Sequence, residues 1–86
     1  MNNRVTGKVN RIWVGVTSAA VFLSDLPRNS APARGLFNIP KSHQNFNALY
    51  SLALSAAINR KDLTIQTTED ITPKRIGTVS DLWVEW

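Results

Sequence analysis

A chain of 86 residues is too short for two hydrophobic cores, because it buries only about 60–65% of its unfolded surface, so we expect residues 1–86 to form a single domain. Its 43% hydrophobic and 19% charged residues exclude a disordered chain, and the absence of cysteine excludes a disulfide framework or a thiolate zinc site. A net charge of +4 weakly favours anionic partners, but the basic residues are scattered, which excludes a basic nucleic-acid-binding tail.

The first part of the chain predicts two strands joined as a hairpin. The run from Val5 to Val16 is rich in β-branched and aromatic residues and alternates apolar with polar in its first half, which is typical of a strand. Gly7 and Gly15 lie within it, where glycine marks the bulge or bend that a small barrel needs. After a turn at residues 17–19, Ala20 to Ser24 predicts the second strand.

The middle of the chain predicts a long loop, a short strand and a helix. Asp25 to Gly35 is rich in Pro, Asn and Ser and forms the loop, and loops on small scaffolds often carry function. Leu36 to Ile39 predicts the third strand. The stretch from Gln44 to Asn59 has no Gly or Pro and is dense in Ala and Leu, so it predicts a helix, with Ser42 as its N-cap and Asn59 as its left-handed last residue.

The last part of the chain predicts two more strands. Asp62 to Thr68 alternates cleanly, residues 69–75 form a turn, and Arg75 to Trp86 predicts the fifth strand. Its two faces carry Ile76, Leu82, Val84 and Trp86 on one side and Val79 and Trp83 on the other. The resulting order, β-β-β-α-β-β, predicts a mainly β fold with one α-helix, a five-stranded OB-like barrel.

The predicted helix is apolar round most of its circumference. Its polar side chains recur at every fourth position in one narrow stripe, namely Asn47, Ser51, Ser55 and Asn59. Five strands can cover one side of such a helix, so the remainder is covered either by the loop at residues 25–35 or, as we expect, by another subunit. The predicted oligomer interface consists of Phe46, Leu49, Tyr50, Leu52, Ala53, Leu54, Ala57 and Trp86.

The segment from Asn45 to Ile65 resembles one stretch of the binding (B) subunits of AB5-type bacterial toxins. It reads NFNALYSLALSAAINRKDLTI, an Ala- and Leu-rich helix that runs through a short polar turn into a strand. The resemblance implies a homopentameric ring with helices lining its central channel, recognition of cell-surface glycans and a catalytic partner subunit. Those toxin subunits are usually secreted with a signal peptide and many carry a disulfide. This chain shows neither, so the resemblance bears more on architecture than on a toxin role.

The residue types that catalysis needs are sparse. His43 is the only histidine, so no histidine metal cluster can form within one chain, and we expect it to be exposed or hydrogen-bonded locally. The six carboxylates are dispersed, and no nucleophile or nucleotide-binding motif is present. We therefore expect no enzymatic activity, no cofactor and no metal site.

Candidate ligand contacts come from tryptophans and from the long loop. In a closed barrel we expect the terminal strands to bring Trp13, Trp83 and Trp86 near one another, where they either fill the barrel and a subunit contact or stack on sugars or nucleobases. Polar loop side chains would hold the hydroxyls of a glycan. The predicted ligand-binding residues are Ser24, Asp25, Arg28, Asn29, Arg34, Trp13 and Trp83.

These observations predict a non-catalytic, lectin-like module that recognises a cell-surface glycan as a ring of identical subunits, with a pentamer favoured. Two alternatives stay open: an OB-fold protein that binds single-stranded nucleic acid, and a purely structural or inhibitory assembly protein. The first residues lack the apolar stretch of a signal peptide, and no run reaches the ~18 apolar residues of a membrane span. We therefore expect a soluble protein, either cytoplasmic or secreted as a leaderless mature chain.

Overall fold

Five strands and one helix follow one another in the predicted order in the computed structural model, which describes residues 3–24, 26, 31–32 and 35–84. The elements are β1 (Arg4–Val14), β2 (Ser18–Leu23), β3 (Leu36–Pro40), α1 (Phe46–Asn59), β4 (Asp62–Thr67) and β5 (Gly77–Val84). The strands close into a barrel in the order β1-β2-β3-β5-β4. This confirms the predicted OB-like barrel with a single helix between β3 and β4.

The long strand β1 serves both halves of the barrel. Residues 4–8 pair with β4 and residues 9–14 pair with β2, both antiparallel. The register shifts between Val9 and Arg11, and such an irregularity bends a strand. The bend therefore lies between the two glycines, whereas the sequence had indicated Gly7 or Gly15 themselves.

The barrel closes through a short parallel pairing of β3 with β5, in which Phe37 lies opposite Gly77 and Asn38 opposite Thr78. A β-carbon on Gly77 would lie 3.1 Å from Cδ1 of Phe37 and 3.2 Å from Cγ2 of Thr67. Glycine at this position therefore allows the Phe37 ring to fill the barrel where the two strands meet.

The core lies inside the barrel and under the helix. Its largest fully buried side chains are Phe37, Ile39, Leu63, Ile65, Val21 and Val79. Burial of each such side chain contributes about 1.5–3 kcal/mol. The helix adds Leu49, Ala53 and Ala56, which share one face at helical spacing. No helix among the described residues is long and apolar enough to cross a membrane.

Both ends of the helix differ from the prediction. The N-cap is Asn45, without a side-chain capping bond, so the helix begins beyond Ser42. At the other end Arg60, with φ 54°, takes the left-handed conformation expected of Asn59, and the Lys61 N–H donates to the Ala56 carbonyl at 3.0 Å. The side chain of Asn59 instead donates to the Ser55 carbonyl at 2.9 Å.

A bulge in β5 changes which residues share a face. Val79 lies opposite Thr67 and Asp81 lies opposite Gln66, so Ser80 is an extra residue on this strand. Val79 and Leu82 are therefore both buried, although strict alternation placed them on opposite faces. That part of the prediction is wrong.

Candidate ligand-binding face

One outer face of the barrel, formed by β4 and the first half of β1, is occupied by side chains that bind each other across the strands. The cross-strand pairs are Arg4 with Gln66 at 3.0 Å, Thr6 with Thr64 at 2.8 Å and Lys8 with Asp62 at 2.6 Å. The guanidinium carbon of Arg4 also lies 5.2 Å from the ring centroid of Trp83. These groups already have partners, which leaves this face little capacity for a ligand.

The opposite outer face combines the second half of β1 with β2 and β3, and we call it the β1–β2–β3 face. Along each strand, outward-facing positions alternate with inward-facing ones. The registers between the strands place the outward positions of all three side by side. These positions are Arg11, Trp13, Ser18, Phe22, Leu36, Asn38 and Pro40, together with Ala20, which lies opposite Trp13 and is itself buried. In the OB-fold, the β2–β3 face and the β1–β2 and β4–β5 loops are where oligonucleotides and oligosaccharides bind.

A cation and an aromatic ring form the first part of this face. The guanidinium carbon of Arg11 lies 5.5 Å from the ring centroid of Phe22. Both line an open depression of ≈ 380 Å³ together with Asn10, Leu23 and Gly35. A guanidinium stacked on a ring is held in place while its N–H edge remains able to donate to a ligand. The depression therefore offers an oriented cation beside an apolar surface.

Trp13 forms the second part of this face. Its indole is 58% exposed and lies against Gly15, where a β-carbon would be only 2.5 Å from Cη2. The Gly15 backbone therefore supports the outer edge of the six-membered ring, and more than half of the indole surface remains accessible. Such a supported aromatic plate can stack on the C–H surface of a sugar or on a base.

Charge is divided unevenly along the chain. Residues 1–61 carry eight basic side chains and one carboxylate, Asp25, whereas residues 62–86 carry two basic side chains and five carboxylates. Within the acidic part, Asp62 is bonded to Lys8 and Glu69 to Arg75. None of the three strands of the β1–β2–β3 face contains a carboxylate. An anionic or hydroxyl-bearing ligand would meet no negative charge from these strands.

The predicted ligand-binding residues divide into three groups. Asp25, Arg28, Asn29 and Arg34 lie outside the described residues. Ser24 follows β2 and is half-buried, and its hydroxyl donates to the Lys8 carbonyl at 3.3 Å. Trp13 and Trp83 are not neighbours. Trp83 lies beside Thr64 and hence beside Thr6, and the seven steps along β1 from Thr6 to Trp13 span roughly 23 Å of strand.

The expectation that the terminal strands bring Trp13 and Trp83 near one another is therefore wrong, since Trp13 belongs to the β1–β2–β3 face and Trp83 to the opposite one. Trp86 lies outside the described residues. Arg11 and Phe22 were missing from the predicted site. One signal for Arg11 was present in the sequence: it stands two residues before Trp13, and such residues share a face of a strand.

The residues predicted to form an oligomer interface point in several directions. Leu49 and Ala53 are buried in the core of the chain itself, and Phe46 and Leu52 pack against that core. Tyr50 and Ala57 are half-buried, and the rings of Phe46 and Tyr50 stack with centroids 6.2 Å apart. Leu54 is 39% exposed, and Ile58, one turn later, is 71% exposed. The outward apolar surface of α1 is therefore carried by Leu54 and Ile58.

His43 is held by hydrogen bonds on both ring nitrogens. Nδ1 accepts from the Asn45 N–H at 3.0 Å, so Nε2 carries the proton that it donates to the Ser80 carbonyl at 3.0 Å. The ring thus ties the start of α1 to the bulge of β5. Among the described residues no group of three His, Cys, Asp or Glu side chains is placed to hold a metal ion.

No protein-family model, curated protein or solved structure matches this chain. Function is therefore inferred from the chemistry of the β1–β2–β3 face and from the exposed apolar side chains.

Proposed function

We propose that this chain is a non-catalytic binding module that recognises carbohydrate through the β1–β2–β3 face. The observation that carries the proposal is the Trp13 indole, which is 58% exposed and in contact with the backbone of Gly15. A sugar ring stacks its C–H surface on such an indole, while its hydroxyls accept hydrogen bonds from a guanidinium or amide. Arg11 and the amides of Asn10 and Asn38 provide these donors.

The long loop extends this proposal. Leu23 and Gly35 both line the depression, so the chain leaves β2 and returns to β3 at its rim. The proposed ligand contacts therefore still include Ser24 and the loop residues Asp25, Arg28, Asn29 and Arg34. An arginine of this loop in contact with a ligand would favour a sugar that carries a carboxylate.

Single-stranded nucleic acid is the second candidate ligand, and the excess of basic residues before Asp62 favours it. A groove for such a strand tracks several phosphates with cations and stacks successive bases. Among the residues that the structure describes, Arg11 is the only cation at the outward positions of the β1–β2–β3 face. Arg4 and Lys8 are bound to Gln66 and Asp62 on the opposite face. This arrangement suits a short ligand better than a polyanion.

We further propose that identical subunits associate through the outward side of α1. Leu54 and Ile58 are exposed one turn apart, and no charged residue lies between Lys41 and Arg60. A neutral helix surface with two exposed aliphatic side chains is suited to contact with another copy. A ring, with a pentamer favoured by the toxin-like segment, would present several ligand sites at once and raise avidity. A catalytic partner subunit is part of the same toxin-like proposal.

The test is a glycan array probed with the purified wild-type chain and two single variants, Trp13→Ala and Arg11→Gln. We expect binding to a subset of glycans that Trp13→Ala abolishes and Arg11→Gln weakens. Thr64→Ala, on the opposite face, is the matched control and should bind as the wild type does. An array without hits from correctly folded and assembled protein would count against the proposal.

The rival ligand is tested by anisotropy of labelled oligonucleotides at about 50 and 200 mM salt. Tight binding that falls steeply between these concentrations and requires Trp13 would favour the nucleic-acid candidate. Native mass spectrometry of the same samples gives the number of subunits. Assembly without any ligand on either assay would favour a purely structural or inhibitory assembly protein.

A further inference from the structure

The turn of the β1–β2 hairpin carries an unusual concentration of exposed apolar side chains. We call residues 13–17 the hairpin tip. Val16 is 90% exposed, Val14 is 51% exposed and both flank Gly15, against which the Trp13 ring lies. Single exposed apolar residues are common on protein surfaces. Here Trp13 is exposed on the outward face of β1, Val14 on its other face and Val16 in the turn itself, so apolar side chains lie exposed on both sides of the end of the hairpin.

The hairpin tip lies at one extremity of the barrel. Strand β4 pairs with β1 only over residues 4–8, so the end of β1 has no strand on that side, whereas β3 runs beside β2 as far as its first residue, where Pro40 pairs with Ser18. The turn is closed by the Gly15 N–H, which donates to the Ser18 carbonyl at 2.8 Å. The end of β1 and its turn thus extend beyond β4 and are held by a hydrogen bond, so their side chains can contact a surface while every strand stays paired.

Positive charge accompanies the hairpin tip. The Lys41 N–H donates to the Thr17 carbonyl at 3.0 Å, which places the exposed Lys41 beside the tip. Arg11 lies two residues before Trp13 on the same face of β1. The sequence holds no carboxylate in residues 3–24 or 35–61. The surroundings of the tip therefore complement an anionic surface.

These features fit a lipid bilayer better than a second protein. A stable protein interface takes about 800 Å² from each partner, which three side chains on one turn cannot supply. A bilayer needs no matching shape and accepts a small apolar projection. Tryptophan is favoured at the level of the lipid headgroups, and lysine and arginine near the surface are attracted by anionic lipids.

We propose that the hairpin tip docks on an anionic bilayer surface. Val14 and Val16 enter the boundary of the acyl chains, the Trp13 indole lies among the headgroups, and Lys41 contacts lipid phosphates. The Trp13 indole is shared with the proposed sugar site, but the principal lipid contacts are the two valines and Lys41, so variants of Val16 and Lys41 test the docking while leaving the proposed sugar contacts in place.

The experiment is co-sedimentation of the full chain with vesicles of phosphatidylcholine alone or with about 30% phosphatidylserine. We expect binding to the mixed vesicles only, a fall of at least tenfold in partitioning for Val16→Asp, and a fall of a few fold for Lys41→Gln. Ile76→Asp is the matched control, because Ile76 is another exposed aliphatic residue, 43% exposed, just before β5. It should partition as the wild type does.

A second readout places the tip in the membrane directly. In a Trp83→Phe, Trp86→Phe background, emission from Trp13 should shift to shorter wavelength on the mixed vesicles and be quenched by nitroxide-labelled lipid. Wild-type protein that stays in the supernatant, or equal effects of Val16→Asp and Ile76→Asp, would overturn the proposal. The proposal would also fail if the wild type bound no lipid and Val16→Asp lowered the assembled mass in the absence of vesicles. The tip would then be a contact between copies.

Discussion

The indole of Trp13 and the backbone of Gly15 are in contact at the end of β1. A β-carbon on Gly15 would lie 2.5 Å from Cη2 and 2.7 Å from Cζ3 of that ring, closer than non-bonded carbon atoms approach. Gly15 does not adopt a positive φ, so its backbone suits any residue. The space that the ring occupies is therefore the reason for glycine at this position.

Gly15→Ala should displace the Trp13 ring. We expect Trp13 emission, measured with Trp83 and Trp86 replaced by Phe, to move to longer wavelength with greater acrylamide quenching. In a Trp13→Ala background the same change should instead raise the free energy of unfolding by about 0.4–1 kcal/mol, because alanine restricts the unfolded chain. If Gly15→Ala changed the free energy of unfolding equally with and without Trp13, the ring would not occupy this space.

Gly77→Ala should destabilise the barrel at its point of closure. The added methyl group meets Phe37 and Thr67 within the packed interior, and overpacking of this kind costs about 1–3 kcal/mol. Chemical denaturation followed by circular dichroism measures the loss. The position has a normal φ, so the cost is steric and should fall when Phe37 is shortened to Leu in the same chain.

His43→Ala should lower the free energy of unfolding by about 0.5–1.5 kcal/mol. The change removes two hydrogen bonds and leaves the Ser80 carbonyl and the Asn45 N–H without their partner. Gln44→Ala, at the exposed neighbouring position, is the control and should change stability by less than about 0.5 kcal/mol. Equal denaturation midpoints for the two variants would contradict the structural role of the ring.

Substitutions on the two sides of α1 should act on different equilibria. Ala53→Leu overpacks the core and should cost about 1–3 kcal/mol of chain stability, because Ala53 is fully buried. Ile58→Ser should leave the stability of the isolated subunit nearly unchanged and lower the assembled mass at micromolar concentration. Sedimentation velocity measures that mass. A wild-type chain that sediments as a monomer would remove the proposed helix-mediated assembly.

The order of elements could be predicted because it depends on local patterns. The alternation in Asp62–Thr67 and the Ala- and Leu-rich run of α1 are encoded within a few residues of each element. The faces of β5 could not be predicted in the same way. The extra residue Ser80 is defined by the pairing of β5 with β4, which no periodicity within β5 reveals.

The candidate site was only partly predictable for the same reason. Trp13 was identified from its residue type alone. The position of Phe22 next to Arg11 depends on the register between β1 and β2, including the shift after Val9. The separation of Trp83 from Trp13 likewise follows from β1 pairing with β4 along one half and with β2 along the other.

The parallel pairing of β3 with β5 also bears on how the chain folds. The pairs β1–β2 and β2–β3 join strands that follow one another in the sequence. The pair β3–β5 joins strands that are separated in the sequence by α1 and β4. Contacts between distant segments lose more chain entropy before they form, so we expect barrel closure to be the late step, within about milliseconds to seconds. Until then the outer edge of β3 is open to strands of other chains, and refolding yield should fall as protein concentration rises.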